Sequence, residues 1–328
     1  MADMQHAPCR VVVTRSLPDP LPARLQAEGT AWINPDPRTL APEEILSAAE
    51  RIGADVLLVM AMDRIDATLI TRLSDSVRVI ATLSVGHDHI DLDAAQARGI
   101  AVLSTPDILS DAVADMGMLL ILGAARRARE GMQLLYDRSW TGWSPTQLLG
   151  KEVSFARIGI FGMGRIGRAL ARRARHGFGM DVHYHNRSPL SPELEDGATF
   201  HATLDGLLQV SDFLAVVAPS TPATKGRLDA AAFARLPAGA VVVNVSRGDL
   251  IADTALIAAL RSGHVAAAGL DVFNNEPAID PDYLTLPNVF LQPHQGSSTT
   301  RTRVRMGELL LDSIQALRAT ESVANRLV

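Results

Sequence analysis

Short apolar runs alternate with longer segments of helical period along most of this chain. RVVVT (10–14), DVLLVM (55–60), RVIATLS (78–84) and IAVLST (100–105) are rich in branched aliphatic residues and too short for helices, so they predict strands. Pro42 to Arg51 and Asp91 to Arg98 carry apolar residues three and four apart, the spacing of one helix face. Parallel neighbours need a crossover, so this alternation predicts a small parallel α/β lobe. A second series follows: ARIGIFG, DVHYHN, DFLAVVA, AVVVNVS, VAAAGLDVF and NVFLQP read as six strands, with helical segments at 165–176, 204–209, 229–235 and 253–262. Six is the strand count of a doubly wound dinucleotide sheet. Between the two series, about 107 to 135 reads as one long helix with acidic residues early and arginines late, as the helix dipole favours. The tail TRTRVRMGELLLDSIQALRAT predicts a final amphipathic helix that either returns to the first lobe or caps the second.

Composition narrows the picture. A length of 328 residues suits two domains better than one. With 47% hydrophobic but only 4% aromatic residues, the core must be mainly aliphatic. The net charge of -5 provides no basic field for nucleic acid and no polybasic membrane anchor. The most apolar stretch, MGMLLILGAA (116–125), falls well short of a bilayer span. The lone Cys9 cannot form an intramolecular disulfide, and MADMQHAPCR lacks the apolar core of a leader. A reducing cytoplasm is the expected location.

The string GMGRIG, residues 162–167, is a weak signal alone, and its context strengthens it. RIGIF precedes it as a strand and RIGRALARRARH follows as a helix. Gly162 then permits the sharp turn, Gly164 removes the Cβ that would bar a pyrophosphate, and Gly167 lets helix and strand pack closely. The phosphates would meet free N–H groups at the helix N-terminus. An acid at the end of the next strand would accept from both ribose hydroxyls and repel a 2'-phosphate. This chain instead has His185, Asn186, Arg187 and Ser188, and no acid before Glu193. Arg187 provides a planar charged fork for a phosphate, with Asn186 and Ser188 as neutral partners. NADP(H) is therefore expected, with NAD(H) as the alternative cofactor.

Three later segments, VSRGDLI, DVFNNEP and QPHQGSS, each follow an apolar run, which brings Arg247, Glu276 and His294 to the carboxyl edge of the sheet. An imidazole can protonate a carbonyl oxygen as hydride arrives, a carboxylate on its other nitrogen can orient it, and an arginine can grip a substrate carboxylate. Each also has a plainer role: Arg247 on the surface before a helix capped by Asp253, Glu276 shaping a turn beside Pro277, His294 as a loop histidine.

Taken together, SVGHDHIDLDAAQARGIAV, GIFGMGRIGRALARRARHGFGMDVHYHNR, NVSRGDLI, GLDVFNNEP and LQPHQGSS make the chain resemble, from about residue 50 to 300, the D-isomer-specific 2-hydroxyacid dehydrogenases. Within them it resembles the glyoxylate/hydroxypyruvate reductase branch. The resemblance implies two Rossmann-like α/β domains: a doubly wound parallel-sheet cofactor domain (107–299) inserted into a flavodoxin-like substrate domain (1–106 and 300–328), with catalysis in the cleft. It implies that Arg247 binds the substrate carboxylate, His294 is the acid/base and Glu276 its partner. It further implies that backbone N–H groups around Val85 and Gly86 reach the carboxylate. The cofactor would be lined by Arg165 and Ile166 beside the loop glycines, by Pro219, Val245 and Ser246, by Asp271 near the carboxamide, and by His294 and Gly296, with no metal.

A small 2-keto or 2-hydroxy acid is the implied partner, glyoxylate and hydroxypyruvate first and 2-ketogluconate as a longer option. Nucleic acid and membrane are not. A homodimer is implied, with Trp140 and Trp143 in the segment that reaches across. His87 stands where the family often has Tyr, and Gln295 where a small residue is usual; both bear on substrate choice. Two other functions fit the same architecture: oxidation of a phosphorus oxyanion such as phosphite, and non-catalytic dinucleotide sensing of the corepressor kind.

Overall fold

The computed structural model describes residues 8–328; residues 1–7, which carry most of the leader reading, lie outside it. Five strands form the first sheet: β1 (Cys9–Val13), β2 (Gly29–Ile33), β3 (Val56–Val59), β4 (Val79–Thr82) and β5 (Ala101–Leu103). All neighbours are parallel, in the order β2-β1-β3-β4-β5. Helices α1 (Leu21–Glu28), α2 (Pro42–Ile52), α3 (Ala67–Arg72) and α4 (Leu92–Ala97) make the crossovers. This is the flavodoxin-like order, reached with one strand more than the apolar runs predict. The extra strand, GTAWI, is an edge strand with no fully buried position, so it lacks the run that marks its neighbours.

The segment predicted as one helix is two, α5 (Ser110–Ala125) and α6 (Ala128–Tyr136). Arg127 takes the left-handed region at φ 52 between them. Tertiary hydrogen bonds compete for this stretch: the Ala125 carbonyl accepts from Lys151 N at 2.9 Å, and the Arg129 guanidinium donates to the carbonyls of Leu286 (2.7 Å) and Leu284 (2.5 Å).

The second sheet contains β6 (Arg157–Phe161), β7 (Asp181–His185), β8 (Thr199–Phe200), β9 (Phe213–Val216), β10 (Ala240–Asn244), β11 (Val265–Leu270) and β12 (Val289–Leu291). Its order is β12-β11-β10-β9-β6-β7-β8, again parallel throughout. That is the doubly wound order with a seventh strand, and the strand missing from the sequence reading is the two-residue β8. The intervening helices are α7 (Arg165–Phe178), α8 (Pro192–Glu195), α9 (Leu204–Val210), α10 (Ala230–Ala234), α11 (Asp253–Ser262) and α12 (Asp282–Thr285). One face of the sheet buries Leu214, Val216, Val242 and Leu270 against Leu207, Phe233, Leu256 and Leu260 from α9, α10 and α11. On the other face α5 packs on α7, β10 and β11.

The last helix, α13 (Thr300–Arg318), sets Leu310, Leu311 and Ile314 among Val11, Val13, Leu21 and Leu58, so it completes the core of the first sheet. The chain thus divides into one unit made of the residues up to Leu109 with Ser297–Val328, and another from Ser110 to Gly296. No helix among the described residues is long and apolar enough to cross a membrane.

Candidate active site

Parallel strands put all their carboxyl ends on one edge, and in the second unit that edge gathers the polar loops. The turn after β6 fits a dinucleotide phosphate. Gly162 has φ 103, and a Cβ there would stand 2.4 Å from Ala218 N. A Cβ on Gly167 would lie 2.3 Å from the Gly162 carbonyl, whereas one on Gly164 would meet nothing within 4 Å. Two glycines are therefore demanded by protein packing, while the third faces open space. Helix α7 starts there with no side-chain cap and no acid in its first turn. The N–H groups of Arg165, Ile166 and Gly167 open the helix, where the backbone has no intrahelical acceptor. This donor set suits an anionic diphosphate.

At the end of β7 the Asn186 amide is turned back on the loop. Its Oδ1 accepts from Met163 N at 2.7 Å, and its Nδ2 donates to Met163 O at 3.4 Å. Arg187 and Ser188 stand exposed beside it. Asn186 thus braces the glycine turn, a role its place in a selector motif does not reveal. Ser246 Oγ donates to the Ala218 carbonyl, which links the loops after β9 and β10, and within the first of these Thr224 Oγ1 donates to the Pro219 carbonyl at 2.6 Å. Val245 is buried.

Asn244, fully buried at the end of β10, escaped the sequence reading. Its Oδ1 accepts from Ser246 N at 3.0 Å, its Nδ2 donates to the Arg247 carbonyl at 2.8 Å, and its own carbonyl accepts from Asp271 N at 3.0 Å. The available signal was an Asn closing a strand of valines. Arg247 follows with extended backbone and donates through Nη1 to Ser246 O at 2.9 Å. Asp253 is the first helical residue of α11 rather than its cap; its carboxylate accepts from Asn274 Nδ2 at 2.9 Å and Tyr283 Oη at 2.9 Å, which anchors the loop that carries Glu276.

Glu276 and His294, 18 residues apart, meet: Nδ1 lies 2.6 Å from Oε2, while Oε1 accepts from Phe273 N at 2.8 Å. A carboxylate on Nδ1 makes that nitrogen the donor and leaves Nε2 outside the pair. The imidazole is 33% exposed, so its far edge is open. His294 holds φ 52, and the chain around it is clamped by Asp271, whose carbonyl accepts from His294 N (2.8 Å) and whose carboxylate accepts from Gln295 N (2.7 Å) and Gly296 N (2.8 Å). Burial pushes Asp271 up to about 6, against the pull of those amides and of His294.

Val85 and Gly86 belong to the other unit, in the loop after β4, where Ser84 Oγ donates to the Gly86 carbonyl at 2.6 Å. His87 is exposed, as is Gln295 in the second unit.

Residues 118–296 match the D-isomer specific 2-hydroxyacid dehydrogenase family, NAD binding domain. The chain is 42% identical over 310 residues to a glycerate dehydrogenase of Hyphomicrobium methylovorum, covering 94% of this chain and 95% of that protein. It is 39% identical over 305 residues to glyoxylate/hydroxypyruvate reductase B of Cronobacter sakazakii, covering 93% of each. Among solved structures, the NADPH-dependent glyoxylate/hydroxypyruvate reductase of Sinorhizobium meliloti, in complex with NADP and malonate, superposes with a TM-score of 0.85 at 31% identity, over 98% of this chain and 97% of that one.

Proposed function

The chain belongs to the D-isomer specific 2-hydroxyacid dehydrogenases, and from that premise we propose that it reduces glyoxylate and hydroxypyruvate with NADPH, with His294 as the acid and Arg247 as the carboxylate anchor. It is an oxidoreductase that works with a nicotinamide dinucleotide and reduces small 2-keto acids. The finer reading rests above all on the 2.6 Å pairing of His294 with Glu276 in the unit that holds the glycine turn.

A bound dinucleotide supplies hydride to the keto carbon. The chain handles the proton and the charge. As negative charge grows on the carbonyl oxygen, His294 gives it the Nε2 proton, and the ionised Glu276 holds the ring's orientation and balances the imidazolium that preceded the transfer. Arg247 offers a planar fork to the substrate carboxylate, which a lysine could not match. Backbone N–H groups of Val85 and Gly86 are further carboxylate donors. Residues 107–299 serve as the cofactor domain, and 1–106 with 300–328 as the substrate domain. NADPH is favoured because the end of β7 presents Arg187 and Ser188 to solvent with no acid until Glu193.

Following dinucleotide absorbance with glyoxylate, hydroxypyruvate, pyruvate, phenylpyruvate and 2-ketogluconate tests this reading. The first two should give the highest kcat/KM, and NADPH should outperform NADH. A best substrate among the bulky acids would overturn the substrate assignment, and a preference for NADH would overturn the cofactor assignment.

A further inference from the structure

The loop after β4 sits on a polar chain that the reaction scheme above does not use. Thr82 is fully buried and Ser84 nearly so. Three contacts run in series: His89 Nε2 to Thr82 Oγ1 at 3.0 Å, Thr82 Oγ1 to Ser84 Oγ at 2.7 Å, and Ser84 Oγ to the Gly86 carbonyl at 2.6 Å. A hydroxyl has one proton to donate, and this fixes every direction. A carbonyl only accepts, so Ser84 donates to Gly86. Ser84 must then accept from Thr82, and Thr82, its proton spent, must accept from an N–H on His89 Nε2.

The end of this relay bears on the backbone beyond it. Among the described residues, the N–H groups of Val85, Gly86 and His87 donate no hydrogen bond. In a trans peptide the carbonyl of one residue and the N–H of the next point in opposite directions. Drawing the Gly86 carbonyl inward to Ser84 therefore turns the His87 N–H outward, alongside two other unpaired donors. Successive free N–H groups of this kind make an anion-binding concavity.

We propose that Ser84, oriented by Thr82 and His89, is a positioning residue that presets the 85–87 loop to receive the substrate carboxylate and adds the His87 N–H to its donors. This rests on the reading that the chain reduces 2-keto acids with this loop at the carboxylate. Without the relay the Gly86 peptide can rotate, and the loop must be ordered by each substrate as it binds. The cost falls on substrate binding, not on proton transfer.

The test uses the full chain with saturating NADPH. Ser84→Ala should raise KM for glyoxylate about tenfold, equivalent to about 1.4 kcal/mol, within the range of a lost hydrogen bond. Its kcat should stay within about twofold and its NADPH affinity should be unchanged, a split that general loosening of the fold would not produce. Ser84→Thr keeps the hydroxyl and should recover most of the loss. His89→Gln keeps an N–H donor and should resemble wild type, whereas His89→Leu should resemble Ser84→Ala. Unchanged KM in Ser84→Ala, with wild type active on glyoxylate, overturns the relay alone. Wild type inactive on every 2-keto acid overturns the functional reading and the relay with it.

Discussion

At the scale of single residues, chemistry turns on what each side chain has left after its structural bonds are made. His294 gives Nδ1 to Glu276 and keeps Nε2, so the two nitrogens are assigned different work. Replacing His294 with Ala should cut kcat by about 100-fold or more, the usual worth of a general acid, while NADPH affinity measured by fluorescence stays close to wild type. Near-normal turnover would remove the imidazole from the proton's path. Asn186 uses Oδ1 to accept from Met163 N, a bond that a carboxylate can also accept. Asn186→Asp should thus preserve the turn yet place a negative charge beside the ribose position. The NADPH over NADH preference in kcat/KM should fall by about tenfold or more, which about 1.4 kcal/mol of like-charge repulsion produces. An unchanged ratio would show that this strand end does not choose the cofactor. Residue type and spacing were enough to nominate the glycines and the charged triplet. They could not reveal that Asn186 and Asn244 brace loops, because an amide's partners depend on which backbone comes near it.

At the scale of elements, three loops at one sheet edge are tied in series: Asn244 holds the Arg247 turn, its carbonyl takes Asp271 N, and Asp271 clamps the peptides of His294, Gln295 and Gly296. Asp271 has a pH signature. Burial lifts its carboxyl from 3.8 to about 6, so between those values the folded chain keeps a proton that the unfolded chain has released. The group's contribution to stability is fully present below the lower value and is lost as pH rises through the upper one. Asp271→Asn cannot titrate. The unfolding free energy of wild type relative to this variant should accordingly decline from about pH 4 to about pH 7, by denaturant titration at each pH. A constant difference would mean that the carboxyl ionises in its ordinary range. Elements with strong local signals, such as α7, α11 and the valine strand β10, were legible from period and composition. The break between α5 and α6 was not, because it follows from distant groups, Lys151 N and the carbonyls near β12, that the local pattern does not contain.

At the scale of the whole molecule, one surface feature bears on the expected homodimer. Leu135, Tyr136, Trp140, Trp143 and Leu149 lie exposed within a short span of α6 and the segment after it, with Trp143 at 82%. Large amphipathic rings in such numbers suit an interface. Sedimentation is expected to give twice the monomer mass, and a double Trp140→Ser, Trp143→Ser variant should shift the distribution toward single copies; a monomeric wild type would contradict the homodimer. The sequence by itself determined that the chain alternates strand and helix, that a glycine turn follows β6, and which side chains are chemically apt, because periodicity, glycine and side-chain type act within a few residues. Only the tertiary structure decided that the edge strands β2 and β8 form, that α13 completes the first core, and that an imidazole meets a carboxylate 18 residues away. Those outcomes depend on parallel strands bringing remote loops to a common edge, and on which polar group reaches which partner there first.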